Sequence, residues 1–336
     1  MHEDNCMTRR EMLGLCASTI ALATTSDGAE TTVAYAPLAL DWPKEMARRA
    51  DHQDPTFLHR MTNIVLDFHG DPLAAKLVVF SDGNHHMALE ESLQTFLARH
   101  PDIVDVFYTT TPPRVPVEIL QFGCIHVGNL TLSVRPQVFI SPPNVLDELA
   151  AKGLVRNQRS FMRSRGNVLL VAKGNPKRIH ELSDVARDDV RLFISNPKTE
   201  AASFEVYAET LEKMARQRGL NFDFLKSDGG DRSGKVVYSE LIHHRELPQA
   251  VANGRCDVAI VYYHLALRYT RIFPDRFEIV FLDRDLATQP ASPENIISRY
   301  NISLVGNGGI WGAPLVKFMM STTVTQIYER HGLARP

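Results

Sequence analysis

Two adjacent histidine pairs carry the sharpest chemistry in the sequence: His85-His86, after the turn-like Ser81-Asp82-Gly83-Asn84, and His243-His244, followed by Arg245. An imidazole donates hydrogen bonds to an anion or, when neutral, ligates a divalent metal. Neighbouring side chains diverge, so one histidine of each pair is expected to face a ligand while the other serves its own fold. For the metal alternative, no pattern near His85, His86, His243 and His244 supplies further ligands at familiar spacing. Other donors occupy comparable places. Thr109-Thr110-Thr111 ends one apolar run, Ala201-Ala202-Ser203 opens a helix-length segment, and Tyr262 closes another apolar run. Hydroxyls, backbone N–H groups and imidazoles are what a partly dehydrated oxyanion requires. Arg245 can fork onto an oxyanion or carboxylate, or pair with Glu240 or Glu246 beside it.

The elements that must position these groups alternate in type. Leu77-Val78-Val79-Phe80 reads as a short buried strand, and Leu89, Leu93, Phe96 and Leu97 follow at helical spacing. Further strand candidates lie at 103–107, 137–140, 168–171, 190–194, 257–261, 278–282 and 301–305. Helix-length segments at 145–152, 202–218 and 247–253 each stop at a glycine, Gly153, Gly219 and Gly254. Such alternation argues an α/β fold with mainly parallel sheets. Ligands then bind outside the carboxyl ends of the strands, where helix N-termini favour anions. The strand-to-helix loops at 81–86, 108–113, 196–203, 238–245 and 262–264 contain every residue named above as a donor.

Bulk properties narrow the classes. With 336 residues, 44% hydrophobic and 23% charged, the chain can fill two packed lobes. A formal net charge of −2 provides no global field for nucleic acid or an anionic membrane, so neither is an expected partner. Arg9-Arg10 precedes a mildly apolar run from Leu13 to Thr25, with Ala21-Leu22-Ala23 as a cleavage candidate, so residues 1–30 read as a twin-arginine-type export signal. Residues 31–75, rich in proline and charge, read as a surface extension. Once Cys6 and Cys16 leave with the leader, Cys124 and Cys256 read as two buried thiols. The run Gly229-Gly230-Asp231-Arg232-Ser233-Gly234-Lys235 lacks the following hydroxyl residue and helix of a phosphate loop, and reads as a hairpin. No nucleophile elbow, zinc-protease or dinucleotide signature occurs, so neither catalysis nor a cofactor is expected.

Taken in order, these blocks resemble the type II periplasmic solute-binding proteins of ABC importers, especially the molybdate-binding branch. The blocks are Leu77 to Asn84, Thr109-Thr110-Thr111, Val138-Phe139-Ile140-Ser141, the run Val168 to Pro176, Asn196 to Ala202, Ala259-Ile260-Val261-Tyr262, and the terminal Gln326 to Leu333. The resemblance covers roughly residues 76–334. It implies a two-lobed periplasmic-binding-protein type II fold, each lobe a mixed, mainly parallel sheet flanked by helices, with the ligand cleft between. Lobe 1 would span 76–160 plus 280–336 and lobe 2 161–279, with hinge crossings near 161–168 and 275–282. The implied protein is a monomeric receptor in the periplasm. It would close on a small, anionic ligand and pass it to a cognate inner-membrane ABC permease, without chemistry.

Carried over residue by residue, the oxyanion contacts of molybdate binders point to Asn84, to Thr110 or Thr111, and to Ala201, His244 and Tyr262. His85, His86, Ser203, His243 and Arg245 complete the candidate set. The sequence departs from the molybdate pattern in having Asn84-His85-His86 where a small hydroxyl residue is typical, and His243-His244-Arg245 where the pattern is largely apolar. Competing readings are a metal receptor using the histidine pairs, and an enzyme or redox-accessory protein on the same fold with a histidine as general base.

Overall fold

A computed structural model describes residues 40, 56–58, 65–72, 75–127, 130–226 and 234–336. The expected export signal and residues 229–233 of the expected hairpin lie outside the described residues. From the amino end run β1 (Thr56–Leu58), β2 (Val65–His69), β3 (Leu77–Ser81) and β4 (Val106–Thr110). A ribbon of β5 (Ile125–Val127) and β6 (Leu130–Leu132) precedes β7 (Val138–Ser141) and β8 (Val155–Arg163). Then come β9 (Asn167–Ala172), β10 (Leu192–Ile194), β11 (Val236–Tyr238), β12 (Val258–Tyr262), β13 (Phe277–Val280) and β14 (Arg299–Val305). The helices are α1 (His86–Arg99), α2 (Arg114–Phe122), α3 (Pro143–Ala151), α4 (Leu182–Ala186), α5 (Ala201–Gln217), α6 (His243–Ala252), α7 (Tyr263–Ile272), α8 (Gly309–Met319) and α9 (Thr322–Arg330).

The strands form a seven-stranded sheet, ordered β1-β2-β4-β3-β7-β14-β8, and a five-stranded sheet, ordered β11-β10-β12-β9-β13. Each sheet with its helices makes one lobe of an α/β fold. Both sheets are mixed, with parallel pairing confined to β4-β3-β7 and β11-β10-β12. The parallel share is smaller than the alternation of strands and helices suggests. That pattern registers only helix-linked strands, whereas β8, β9, β13 and β14 are joined across the lobes without helices and run antiparallel to their sheet neighbours. The expected surface extension also needs correcting. Within it, β1 and β2 add an antiparallel edge to the first sheet and Leu40 is buried. Strands of three and five residues are too short to show a period in sequence.

Alternation along β3 divides the first lobe's core. Leu77 and Val79 pack with Leu89, Ile140, Ile302 and Val324 on one face, and Val78 and Phe80 pack with Phe107, Phe139 and Leu146 on the other. In the second lobe, β9 and β12 are buried on both faces, so Val168 to Val171 and Val258 to Val261 read as continuous apolar runs. Each such side chain contributes about 1.5–3 kcal/mol on burial, which fixes the strand ends and the loops that leave them. Cys256 is a buried free thiol, as read; Cys124 is disulfide-bonded and so is not the free thiol expected.

The chain crosses between the sheets at 164–166 and returns over 281–298. A buried polar seam binds the two crossings. Asn295 Oδ1 accepts the Asn167 backbone N–H at 2.7 Å and its Nδ2 donates to the Asn167 carbonyl at 2.9 Å. Asn167 Nδ2 donates to Thr210 Oγ1 at 2.8 Å and to the Ile296 carbonyl at 3.0 Å. Gly166 adopts φ 111°, and a Cβ there would lie 3.1 Å from Ala291 and Asn295, so glycine is required.

Candidate functional site

A cleft of about 500 Å³ opens where loops from the two lobes face each other. Asp82, Gly83, Asn84, Thr110 and Pro112 to Arg114 line it from the first lobe; Ser195, Lys198 to Ser203, Tyr207 and Ile242 to His244 line it from the second. These segments follow β3, β4, β10 and β11, so the expected geometry of loops beyond the carboxyl ends of parallel strands is met.

On the first lobe, β3 leads into a single tight turn, Gly83–His85, capped by Asp82, whose carboxylate accepts the Asn84 N–H at 3.1 Å. A Cβ on Gly83 would come within 2.5 Å of the Thr110 carbonyl, so the loop seats directly on β4. Burial pushes Asp82 up to about 6, against the opposing pull of the Asn84 and Gly83 N–H groups. Asn84 lines the cleft, but its side-chain amide donates to Tyr300 Oη at 3.1 Å and its carbonyl accepts from His264 Nε2, on α7 of the other lobe, at 2.8 Å.

The two rings of the first histidine pair have different surroundings, and neither is among the residues that line the cleft. His85 is fully buried inside its lobe, with Nε2 3.0 Å from Ser81 Oγ and Nδ1 3.0 Å from Tyr328 Oη. It holds the loop and is not available to a ligand. His86 donates from Nδ1 to the Gly83 carbonyl at 3.0 Å, and its ring stacks across the lobes towards His244 at a centroid distance of 6.4 Å. Thr110 lines the cleft with its hydroxyl committed, donating to Asp67 Oδ2 at 3.1 Å, with His69 Nε2 also 3.1 Å away. Thr111 is buried at the end of the same strand.

Arg245 departs most clearly from expectation. Its guanidinium pairs with Asp67 of the first lobe, Nη1 donating to Oδ1 at 2.8 Å. It joins the lobes and does not line the cleft, and Asp67 lies in the segment that sequence patterning left outside the fold. Tyr262 is also displaced from its expected role: its hydroxyl is 2.8 Å from Ser298 Oγ, at the second crossing. It is almost wholly buried and outside the cleft lining.

On the second lobe, Ser203 Oγ lies 2.9 Å from Ser195 Oγ and 3.1 Å from the Glu200 carbonyl oxygen, at the start of α5, where Ala201 borders the cleft. Glu200 closes the wall. One carboxylate oxygen, Oε2, accepts Ser239 Oγ at 2.6 Å and the His243 backbone N–H at 2.9 Å, so it caps the α6 N-terminus. Burial raises its pKa to about 7, and the nearby Glu246 adds to the shift. The α6 helix starts at His243, four residues before the expected Leu247, so Pro248 lies in its second turn and the histidine pair stands in the first.

His243 borders the cleft between Phe193 and Tyr207, at ring distances of 5.2 and 5.1 Å. Neither of its ring nitrogens makes a hydrogen bond of good geometry, although the Phe193 carbonyl is close enough to favour the charged form slightly. Thr199 Oγ1, also at the cleft wall, is buried without a hydrogen-bond partner among the described residues. Burial holds His85, His243 and His264 down to about 3 and His244 to about 4, and puts His86 well below its ordinary value. All five are therefore neutral near pH 7. The cations that line the cleft are Lys198 and Arg114, the latter 3.5 Å from Glu118. Among the described residues no cluster of three or more His, Cys, Asp or Glu is arranged to hold a metal ion.

Sequence reasoning missed Thr199, Lys198, Glu200, Asp82 and Asp67 as site residues. The loop position of the first four was a usable signal, since each lies in or next to a strand-to-helix turn. Asp67 had none.

The family described as bacterial extracellular solute-binding protein matches residues 77–334. The chain belongs to that family. Over 79 residues it is 37% identical to the thiosulfate-binding protein of Escherichia coli K12, an alignment spanning 24% of this chain and only 20% of that protein. Among solved structures it is similar to the substrate-binding domain of a putative molybdenum ABC transporter from Clostridium difficile, with 14% identity, TM-score 0.54 and coverage of 77% of this chain and 98% of the other. The Azotobacter vinelandii periplasmic molybdate-binding protein is similar at 15% identity and TM-score 0.53, covering 78% of this chain and all of that one. The sulfate-binding protein SubI of Mycobacterium tuberculosis is similar at 14% identity and TM-score 0.54, covering 77% and 86%. These structural likenesses establish the two-lobed solute-binding fold. Among the described residues no helix is long and apolar enough to cross a membrane.

Proposed function

We propose that this protein is the exported, periplasmic substrate-binding component of an ABC importer. It captures one small anionic solute between its lobes by hinge closure and delivers it unaltered to an inner-membrane permease. The observation that carries this reading is the pair of buried polar groups in the cleft lining that make no hydrogen bond of good geometry among the described residues, the Thr199 hydroxyl and the His243 imidazole, with Lys198 in the same lining. A buried donor left unpaired costs about 1–3 kcal/mol, a cost that a ligand's oxygen atoms would recover. Family membership and the names of similar proteins, which bind thiosulfate, molybdate and sulfate, support the class of ligand. With the imidazoles neutral, the anion is held by hydroxyl, imidazole and backbone donors and by Lys198, and not by imidazolium charge. Calorimetric titration with a panel of oxyanions and small carboxylates tests it. One-to-one binding that weakens at least tenfold in Lys198→Ala supports the reading, and heat only from chemical turnover of a titrant contradicts it.

A further inference from the structure

The backbone donors that a bare oxyanion would use at two of the cleft's loops are already occupied by the protein's own carboxylates. Asp82 takes the Asn84 N–H of the first-lobe turn, and Glu200 takes the His243 N–H at the mouth of α6. Both acids line the cleft. Glu200 spends a single oxygen on its two protein donors, Ser239 Oγ and the His243 N–H, both of which bond Oε2. Its other oxygen, Oε1, makes no hydrogen bond within the described residues, and Glu200 shares the cleft lining with Thr199 and His243, whose hydroxyl and ring nitrogens are buried with no hydrogen-bond partner among the described residues. The cleft lining thus offers both hydrogen-bond donors and a hydrogen-bond acceptor. A ligand with oxygen lone pairs alone would satisfy Thr199, His243 and Lys198 but would set its own charge against Glu200.

We infer that Glu200 is the specificity-determining residue of the cleft and that it accepts a hydrogen bond from the ligand. The solute is therefore an anion that also carries an O–H, such as a protonated phosphate or phosphonate group or a hydroxy acid, and not a fully deprotonated ion such as sulfate or molybdate. The inference rests on the receptor reading above and narrows its ligand class. Cleft size agrees: about 500 Å³ lies within the range of pockets that hold organic solutes, well beyond one tetrahedral ion. Discrimination of this kind is large, because a site that mates with a ligand's O–H leaves a buried group unpaired, or charges opposed, when the O–H is missing.

Phosphate and sulfate have the same shape and differ near neutral pH in the proton that phosphate keeps, so calorimetric titration of the full chain with each is the test, with molybdate and L-serine as further probes. Phosphate binding at least tenfold tighter than sulfate, with the ratio falling below about threefold in Glu200→Gln, is the expected result. Sulfate or molybdate binding as tightly as phosphate overturns the inference and leaves the anion receptor standing. Binding of L-serine alone, weakened in Glu200→Gln, removes the anion reading and keeps the donor inference. No binding by any probe, or an unchanged ratio in a folded Glu200→Gln, overturns it. The wild-type comparison of phosphate with sulfate decides the matter if that variant fails to fold.

Discussion

At the residue scale, the members of the first histidine pair carry different burdens, whereas His243 and His244 both line the cleft. His85, bonded on both nitrogens to Ser81 and Tyr328, is part of the first lobe's interior. Replacing it by alanine should lower unfolding stability by about 2–4 kcal/mol, measured by urea denaturation of the unliganded protein. Thr199 predicts the opposite pattern. Its hydroxyl has no partner to lose among the described residues, so Thr199→Val should leave unliganded stability within about 0.5 kcal/mol and weaken ligand binding roughly tenfold or more. Equal loss of stability would assign Thr199 to structure. Loop position made Asn84, Ala201, Ser203, His243 and His244 legible, because strand-to-helix loops must reach the cleft whatever their composition. Position alone could not say which atoms were already engaged. Thr110 reads as a free hydroxyl in sequence and is committed to Asp67 in space, across 43 positions of chain.

At the element scale, β2 and α6 face each other across the lobes. Arg245 leaves the first turn of α6 and meets Asp67 on β2, which Thr110 and His69 hold in place. The Arg245 side chain is 37% exposed and that of Asp67 11%, so the pair adds little to folding stability. It does, however, join the second lobe's α6 to the first lobe's β2. Asp67→Asn should enlarge the radius of gyration of the unliganded protein in solution scattering and speed ligand release, and adding Arg245→Ala should change neither much further, as expected of two residues acting through one contact. Unchanged scattering would remove the latch from the account. Alternating apolar runs and glycine stops made most helix-linked strands legible. By contrast β8, with exposed Arg156, Arg159 and Ser160 between buried ends, shows too little apolar character to be found, and β1 and β2 are too short.

At the scale of the whole molecule, burial of titratable groups sets how stability responds to pH. His85, His243, His244, His264 and His86 have folded pKa values below that of an unfolded histidine. Their contribution is fully present above about pH 6.5 and is lost as pH falls towards 3 to 4. Asp82 and Glu200 act the other way, with a contribution present below about pH 4 and lost as pH rises through about 6 and 7. Five groups outweigh two, so the melting temperature should fall steeply between pH 6.5 and 4, and Glu200→Gln should raise it at pH 8 relative to wild type. Scanning calorimetry across that range checks both, and a Glu200→Gln protein no more stable at pH 8 would contradict the second. The two-lobed architecture itself was legible from the order of the blocks between residues 77 and 334. The seam of Asn167, Asn295, Ser164 and Ser298 that binds the crossings was not, since its members are distant in sequence and individually ordinary.

The central claim is that one small solute is held between the lobes by the wall that contains Lys198 and Thr199. Native mass spectrometry of the protein purified from its own host, beside the Lys198→Ala/Thr199→Val variant prepared identically, tests it most directly. The account predicts a wild-type mass increased by a single small molecule and a variant that has lost it. A wild-type protein with no added mass, or the same added mass on both proteins, would contradict it.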